Sequence, residues 1–209
     1  SRTVEARAKR VSAMTCAANF AWVNRLAMRH LATEVIADVM ELPRERCGFG
    51  MVYDVCHNIA KQESGLLIHR KGATRALPPR HPLLPEKFKE TGQPAIVPGS
   101  MGTASYVLVG TDKVSETFFS VNHGAGRVMS RTAARGKGRR GKTVEAMISD
   151  EQFKRSMKGI KLIVGDRSRI KEEAPDAYKD IEEVVRIVVE CGWAKPVARM
   201  VPLAVLKGR

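Results

Sequence analysis

Aromatic side chains are scarce, 5% of the 209 residues, so base stacking cannot be spread over a wide surface. Cysteine is sparse as well. Cys16, Cys47, Cys56 and Cys191 stand far apart with no CxxC pair, which argues against a disulfide scaffold or a four-cysteine zinc site and fits reduced thiols. No apolar run is long enough to span a bilayer, and no signal peptide opens the chain. A soluble, cytoplasmic protein without a membrane partner is therefore expected. Acidic residues are in short supply: 22 Asp and Glu face 36 Lys and Arg, a formal charge of +14. That surplus favours a polyanionic partner, although charge alone does not choose between RNA, DNA, nucleotide phosphates and an anionic membrane. What the chain does have is apolar content, 44%, enough for a real core within one domain or a large piece of one.

Residues 13–40 are rich in Ala, Met and Leu and read as helix, with Pro43 limiting its extension. The segment Gly50 to Ala60 has strand character around Met51 to His57, and a second short strand follows at Leu66 to His69. Residues 78–85 read as an ordered, proline-rich surface loop. Residues 95–97 and 106–109 are apolar runs flanking Pro98-Gly99-Ser100-Met101-Gly102, which is strand, glycine turn, strand. Residues 117–121 and 160–164 read as strands. Residues 177–190 read as an amphipathic helix, with Ile181, Val184, Val185, Val188 and Val189 on one face and Gly192 as its stop. Residues 198–206 read as a last strand. No internal repeat and no domain boundary emerges, so residues 1–209 are taken as a single region. The class expected is α+β, with mixed or antiparallel sheets and surrounding helices.

Four motifs carry chemistry. In Ser120-Val121-Asn122-His123-Gly124-Ala125-Gly126-Arg127 a histidine precedes two glycines and a helical stretch, and free N–H groups at a helix start favour phosphate. Arg127, Arg131 and Arg135 follow at i, i+4 and i+8, a spacing that aligns them on one helix face. From Arg127 to Lys142 inclusive there are seven basic residues and no acidic one. A histidine beside an anion cradle can be a nucleophile toward phosphorus; the plainer alternative is a helix-capping histidine and a solvated basic face. The turn from Pro98 to Ser105 holds two glycines and three hydroxyls, suited to a phosphate or ribose, or simply to a tight turn. Asp54-Val55-Cys56-His57-Asn58 invites a metal or a satisfied strand histidine. His69-Arg70-Lys71-Gly72-Ala73-Thr74-Arg75 is an anion patch or a charged hairpin end.

These stretches, with Ala17-Ala18-Asn19-Phe20-Ala21-Trp22-Val23-Asn24-Arg25 near the start and Ala174-Pro175, Tyr178 and Val205-Leu206-Lys207-Gly208 near the end, resemble the RtcB family of RNA-splicing ligases. The resemblance covers nearly the whole chain, in order, and corresponds to the C-terminal part of a family member. It implies an RNA ligase dependent on GTP and Mn²⁺, joining RNA 3′-phosphate or 2′,3′-cyclic phosphate ends to 5′-hydroxyl ends in tRNA splicing or RNA repair. By that resemblance His123 is the nucleophile that takes GMP, and His57 is a manganese ligand. Ser100, Ser105, Gly124, Ala125, Gly126, Tyr178 and Lys207 bind the nucleotide, while Arg127 and Arg131 hold phosphate or RNA. The family's Asp/Cys metal motif and its GNHF and HSGSRG motifs do not occur here. The implied partners are RNA, GTP, a companion polypeptide supplying the missing motifs and an archease-type activator. A non-catalytic basic RNA-binding module, or a ligase remnant needing a second chain, is the rival reading.

Overall fold

The computed structural model describes residues 2–136 and 145–208; most of the basic run read from the sequence, residues 137–142, lies outside the described residues. The chain forms two compact units, Ser1–His69 and Arg70–Arg209.

The first unit is dominated by helix α1 (Arg2–Met40). It begins before the expected start because no Gly or Pro interrupts residues 2–12. It ends where Glu41 takes a positive φ of 53°, and a 3-10 turn, Arg44–Cys47, follows Pro43. Strands β1 (Asn58–Glu63) and β2 (Leu66–Lys71) pair across Ser64-Gly65, both with positive φ, the geometry of a tight hairpin turn. Of residues 50–60, expected to have strand character around Met51 to His57, only the last three are strand, since β1 begins at Asn58. A strand needs a partner of matching length, and the six residues of β2 match the six that begin at Asn58.

The second unit contains β3 (Ala73–Arg75), β4 (Pro94–Val97), β5 (Ser105–Gly110), β6 (Ser120–Asn122), α2 (Arg131–Arg135), α3 (Asp150–Ser156), β7 (Lys161–Val164), α4 (Ile181–Glu190), β8 (Ala194–Met200) and β9 (Ala204–Lys207). Three small sheets result. β3 pairs antiparallel with β6, β4-β5-β8 is antiparallel, and β7 pairs parallel with β9. The class is α+β with mixed sheets, as expected. Alternation along β5 sends Tyr106 and Leu108 inward. There they meet Ile181, Val185 and Val188 of α4 in the main core. Each such buried side chain contributes roughly 1.5–3 kcal/mol. A smaller cluster of Ala134, Ile148, Ala174 and Ala177 is flanked by Met129, Phe153 and Tyr178.

Three expectations change in this unit. Residues 117–119 are not strand: a 3-10 turn runs over Asp112–Thr117, and Phe118 and Phe119 take positive φ, their N–H groups bonded back to Ser115 and Val114. The amphipathic helix starts at Ile181, because the Asp180 side chain caps it by accepting from the Glu182 N–H. The last strand is two strands in different sheets, broken at Val201-Pro202-Leu203, since Pro lacks an N–H and restricts the residue before it. Among the described residues no helix is long and apolar enough to cross a membrane.

Candidate functional site

His123 directly follows β6, and the β3–β6 pairing sets its place. Its N–H donates to the Gly72 carbonyl at 3.1 Å, and its Nδ1 lies 3.1 Å from Thr74 Oγ1. The loop after it is stitched on two sides. The Ala125 N–H donates to the Pro98 carbonyl at 3.3 Å, which joins the loop to the glycine turn after β4. The Lys179 N–H donates to the Gly126 carbonyl at 2.9 Å and the Val128 N–H to the Ala177 carbonyl at 3.0 Å, with Arg127 bridged to Tyr178 between them. Such a path needs its glycines. Gly124 and Gly126 have φ of 149° and 75°, conformations that L side chains rarely adopt.

The turn itself is held from within. The Gly99 N–H donates to Ser105 Oγ at 3.2 Å, the Ser100 N–H donates to Thr103 Oγ1 at 2.7 Å, and the Ser100 and Thr103 hydroxyls are 2.9 Å apart. A Cβ on Gly99 would stand 2.0 Å from the Ala104 carbonyl oxygen, so close approach of backbone fixes glycine there.

Beside this turn opens a pocket of about 270 Å³ walled by Ser100, Met101, Glu173, Tyr178, Leu206 and Lys207. Three residues singled out in the sequence, Ser100, Tyr178 and Lys207, thus share one cavity although they lie far apart in the chain. Ser105 props the turn instead of lining that cavity. Gly124, Ala125 and Gly126 form the loop between turn and tyrosine. His57 belongs to the first unit and is half-buried one residue before β1. Its neighbour Asp54 is occupied by α1: Arg25 Nε donates to Asp54 Oδ2 at 3.1 Å, and Nη2 lies 2.8 Å from Oδ1 without good hydrogen-bond alignment.

The arginine row is arranged differently from the helical alignment expected. Ser130 caps α2, its side chain accepting from the Ala133 N–H, so only Arg131 and Arg135 are on that helix. Arg127 lies before it, with Nε donating to the Met129 carbonyl at 3.1 Å and Nη1 to Tyr178 Oη at 2.9 Å. Its guanidinium sits 4.8 Å from the Tyr178 ring centre. The three still converge, on two acids that sequence reasoning passed over. Arg127 Nη1 is 3.7 Å and Arg131 Nε 3.2 Å from Glu173 Oε1, and Arg135 Nη1 is 2.7 Å from Glu172 Oε1. The Tyr178 hydroxyl donates to Glu173. Burial pushes the Glu173 carboxyl up, but the Tyr178 and Arg131 hydrogen bonds and the charges of Lys207 and Arg127 outweigh it and hold it below the ordinary range. Burial, and then Glu173 itself, pushes the Tyr178 hydroxyl up. Arg127 Nη2 is buried and has no hydrogen-bond partner among the described residues. A buried unpaired guanidinium nitrogen is costly unless a ligand meets it. The only sequence sign of the two acids was their place just before Ala174-Pro175. Thr74 was within a quoted motif but was not singled out.

The His69–Arg75 stretch turns out structural in large part. Arg70 is buried, donating to Ser120 Oγ and the Phe118 carbonyl, both at 2.9 Å, and Arg75 Nε donates to Gln93 Oε1 at 3.2 Å. Among the described residues no group of three or more His, Cys, Asp or Glu side chains is placed to hold a metal ion. His57 therefore does not by itself fit Mn²⁺, which wants several oxygen or imidazole donors.

The glycine turn after β4, Glu173, Tyr178 and Lys207 thus wall one small cavity on the loops of an α+β chain. A family model described as "tRNA-splicing ligase RtcB" matches residues 3–208, and the chain belongs to that family. Curated relatives, each named tRNA-splicing ligase RtcB, include those of Pyrococcus abyssi (45% identical over 94% of this chain and 22% of the relative), Pyrococcus furiosus (46%, over 94% and 20%) and Aeropyrum pernix (42%, over 95% and 41%). The chain thus spans between about a fifth and two-fifths of the length of these relatives.

Proposed function

We propose that this chain carries the nucleophile and one wall of the guanine-nucleotide pocket of an RNA ligase that joins 3′-phosphate or 2′,3′-cyclic phosphate ends to 5′-hydroxyl ends. The observation that carries it is the stitching of the His123–Arg127 loop between the Pro98–Gly102 turn and Tyr178, beside a cavity that also takes Ser100 and Lys207. The cavity has room for a nucleobase-sized group. Lys207 Nζ, the Ser100 hydroxyl and the Tyr178 ring suit the acceptors and face of guanine. Arg127 and Arg131 suit phosphate oxygens in fork geometry, with the buried Arg127 Nη2 as the donor waiting for one.

His123 attacks through Nε2, because Nδ1 faces Thr74. That requires the ring proton on Nδ1, donated to Thr74 Oγ1. Nε2 bonds to the α-phosphorus of GTP, the bond to the bridging oxygen breaks, and pyrophosphate leaves. A 2′,3′-cyclic end is first opened by water, which breaks the P–O2′ bond and leaves a 3′-phosphate. GMP then passes from His123 to the RNA 3′-phosphate, and the 5′-hydroxyl of the other end attacks that phosphate and releases GMP. Mn²⁺ would neutralise the triphosphate. Since His57 is the sole ligand the resemblance assigns to these residues, the remaining donors are those of the Asp/Cys and histidine motifs, carried by another part of the same protein or by a companion polypeptide. No step above depends on this chain holding the ion. The partners are then RNA, GTP and that polypeptide, with an archease-type activator, in a cytoplasmic setting.

The test is incubation with α-labelled GTP and Mn²⁺. Acid-labile, alkali-stable label should appear on His123 when a polypeptide with the missing motifs is added, and His123→Ala should remove it. Robust labelling of the 209 residues alone would show that the metal donors had been misassigned. Absence of label in both settings, with RNA still bound, would favour the non-catalytic RNA-binding alternative.

A further inference from the structure

The turn Arg167–Glu173 gives Glu173 to the pocket above and Arg167, Ser168, Ile170 and Lys171 to a second cavity of about 480 Å³. Its apolar lining comes from Phe153 in the middle of α3, Met157 just after that helix, Leu162 of β7 and Ile170. Its cations are Arg135, Lys154, Arg167 and Lys171. One acid opposes them, Asp150, whose Oδ1 is 3.0 Å from Lys171 Nζ. Arg135 is the last residue of the arginine row. One of its nitrogens holds Glu172 while its Nε is buried with no hydrogen-bond partner among the described residues. An aromatic ring and aliphatic side chains below, with surplus positive charge around them, match a ligand that has a flat apolar body and an anionic group.

We infer that this cavity is a subsite for one unstacked nucleotide of a single-stranded RNA, the base on Phe153 and its phosphate between Arg167, Lys154 and Arg135. The inference rests on the RNA-ligase reading. It adds a site for RNA beyond the reacting ends, joined to the Glu173 pocket through Glu172, which holds both Arg131 and Arg135. Aromatic-base stacking tolerates any sequence, and unstacked bases are the elements of RNA that proteins grip most readily.

The experiment measures binding of a short oligouridylate to the 209-residue chain across a salt series. The exposed pair Lys154→Gln with Arg167→Gln should weaken binding several-fold at low salt and shallow the log–log salt slope by about 0.7 for each phosphate no longer neutralised. Phe153→Leu keeps an apolar group against Ala134, Ile148, Ala174 and Ala177, so the fold is spared while the ring is removed. It should weaken binding about tenfold with the slope unchanged. Uridine monophosphate should compete poorly. RNA binding that is equal in native and variant chains would overturn the subsite while leaving the ligase reading intact. Competition by uridine monophosphate at the oligomer's own affinity would mean that a free nucleotide is the ligand, and the subsite as stated would fall. Failure of the native chain to bind RNA at all would overturn the subsite, while the ligase reading would still stand or fall on the labelling of His123.

Discussion

Helix α1 and helix α4 bury their apolar residues in opposite ways. Along α1, Phe20, Val23, Leu31, Val35 and Val39 are exposed, and the buried residues among those described are small, Ala18, Thr33 and Ala37. Over Ile181–Glu190, three of the apolar residues, Ile181, Val185 and Val188, are buried on one face against β5, while Glu182, Glu183, Arg186 and Glu190 occupy the other. Arg186 bonds both Glu183 and Glu190 there. The short helix announces its own orientation; the long one spreads apolar side chains round its circumference and cannot. The lesson is that a helix is legible in proportion to the asymmetry of its faces, not to its length.

The contrast can be broken by mutation. Ile181→Ala removes a side chain that is 1% exposed and should cost about 2–5 kcal/mol, read as a fall in the denaturation midpoint at unchanged slope. Instead, a loss near zero would mean α4 is not the core helix described. A middle-sized effect should come from Glu173→Gln, and it should depend on pH. The folded-state carboxyl is held below its ordinary value, so the stability it adds is present above the unfolded pKa of about 4.3 and is lost as pH falls through the lower folded value. Native and variant chains should therefore differ at neutral pH and converge in acid; a gap that widens on acidification would contradict the arrangement around Tyr178. The smallest change is expected from Val39→Ala on α1, where the side chain is 79% exposed: within about 0.5 kcal/mol in either direction, since reduced apolar cover and better helix propensity oppose each other. A cost above about 2 kcal/mol would show Val39 to be covered in solution.

The same asymmetry explains what could be read in advance. The class, β4 and β5 around the glycine turn, and the α4 face at Ile181, Val184, Val185 and Val188, though not at the exposed Val189, follow from short-range patterns; Ser100, Tyr178 and Lys207 were assigned by the family resemblance, and they share a cavity. Features decided by distant partners were missed. Phe118 and Phe119 look like strand residues, yet the bonds they make to Ser115 and Val114 turn the chain. The i, i+4, i+8 spacing of the arginines held no information about Glu172 and Glu173, which meet them from the turn before Ala174. Residues 51–57 have the composition of a strand, but strand length was decided by β2.

The break at Val201-Pro202-Leu203 lets the chain leave β8, in one sheet, and enter β9, in another, where Val164 sits beside Lys207 in parallel register. Parallel pairing has no hairpin to nucleate it and must wait for loop closure. On a ribosome the glycine turn, the histidine loop and Tyr178 all emerge before β9 does. Until β9 docks on β7, the cavity lacks Lys207 and Leu206, so the nascent chain would hold its glycine turn, histidine loop and Tyr178 for an interval with that wall of the cavity missing.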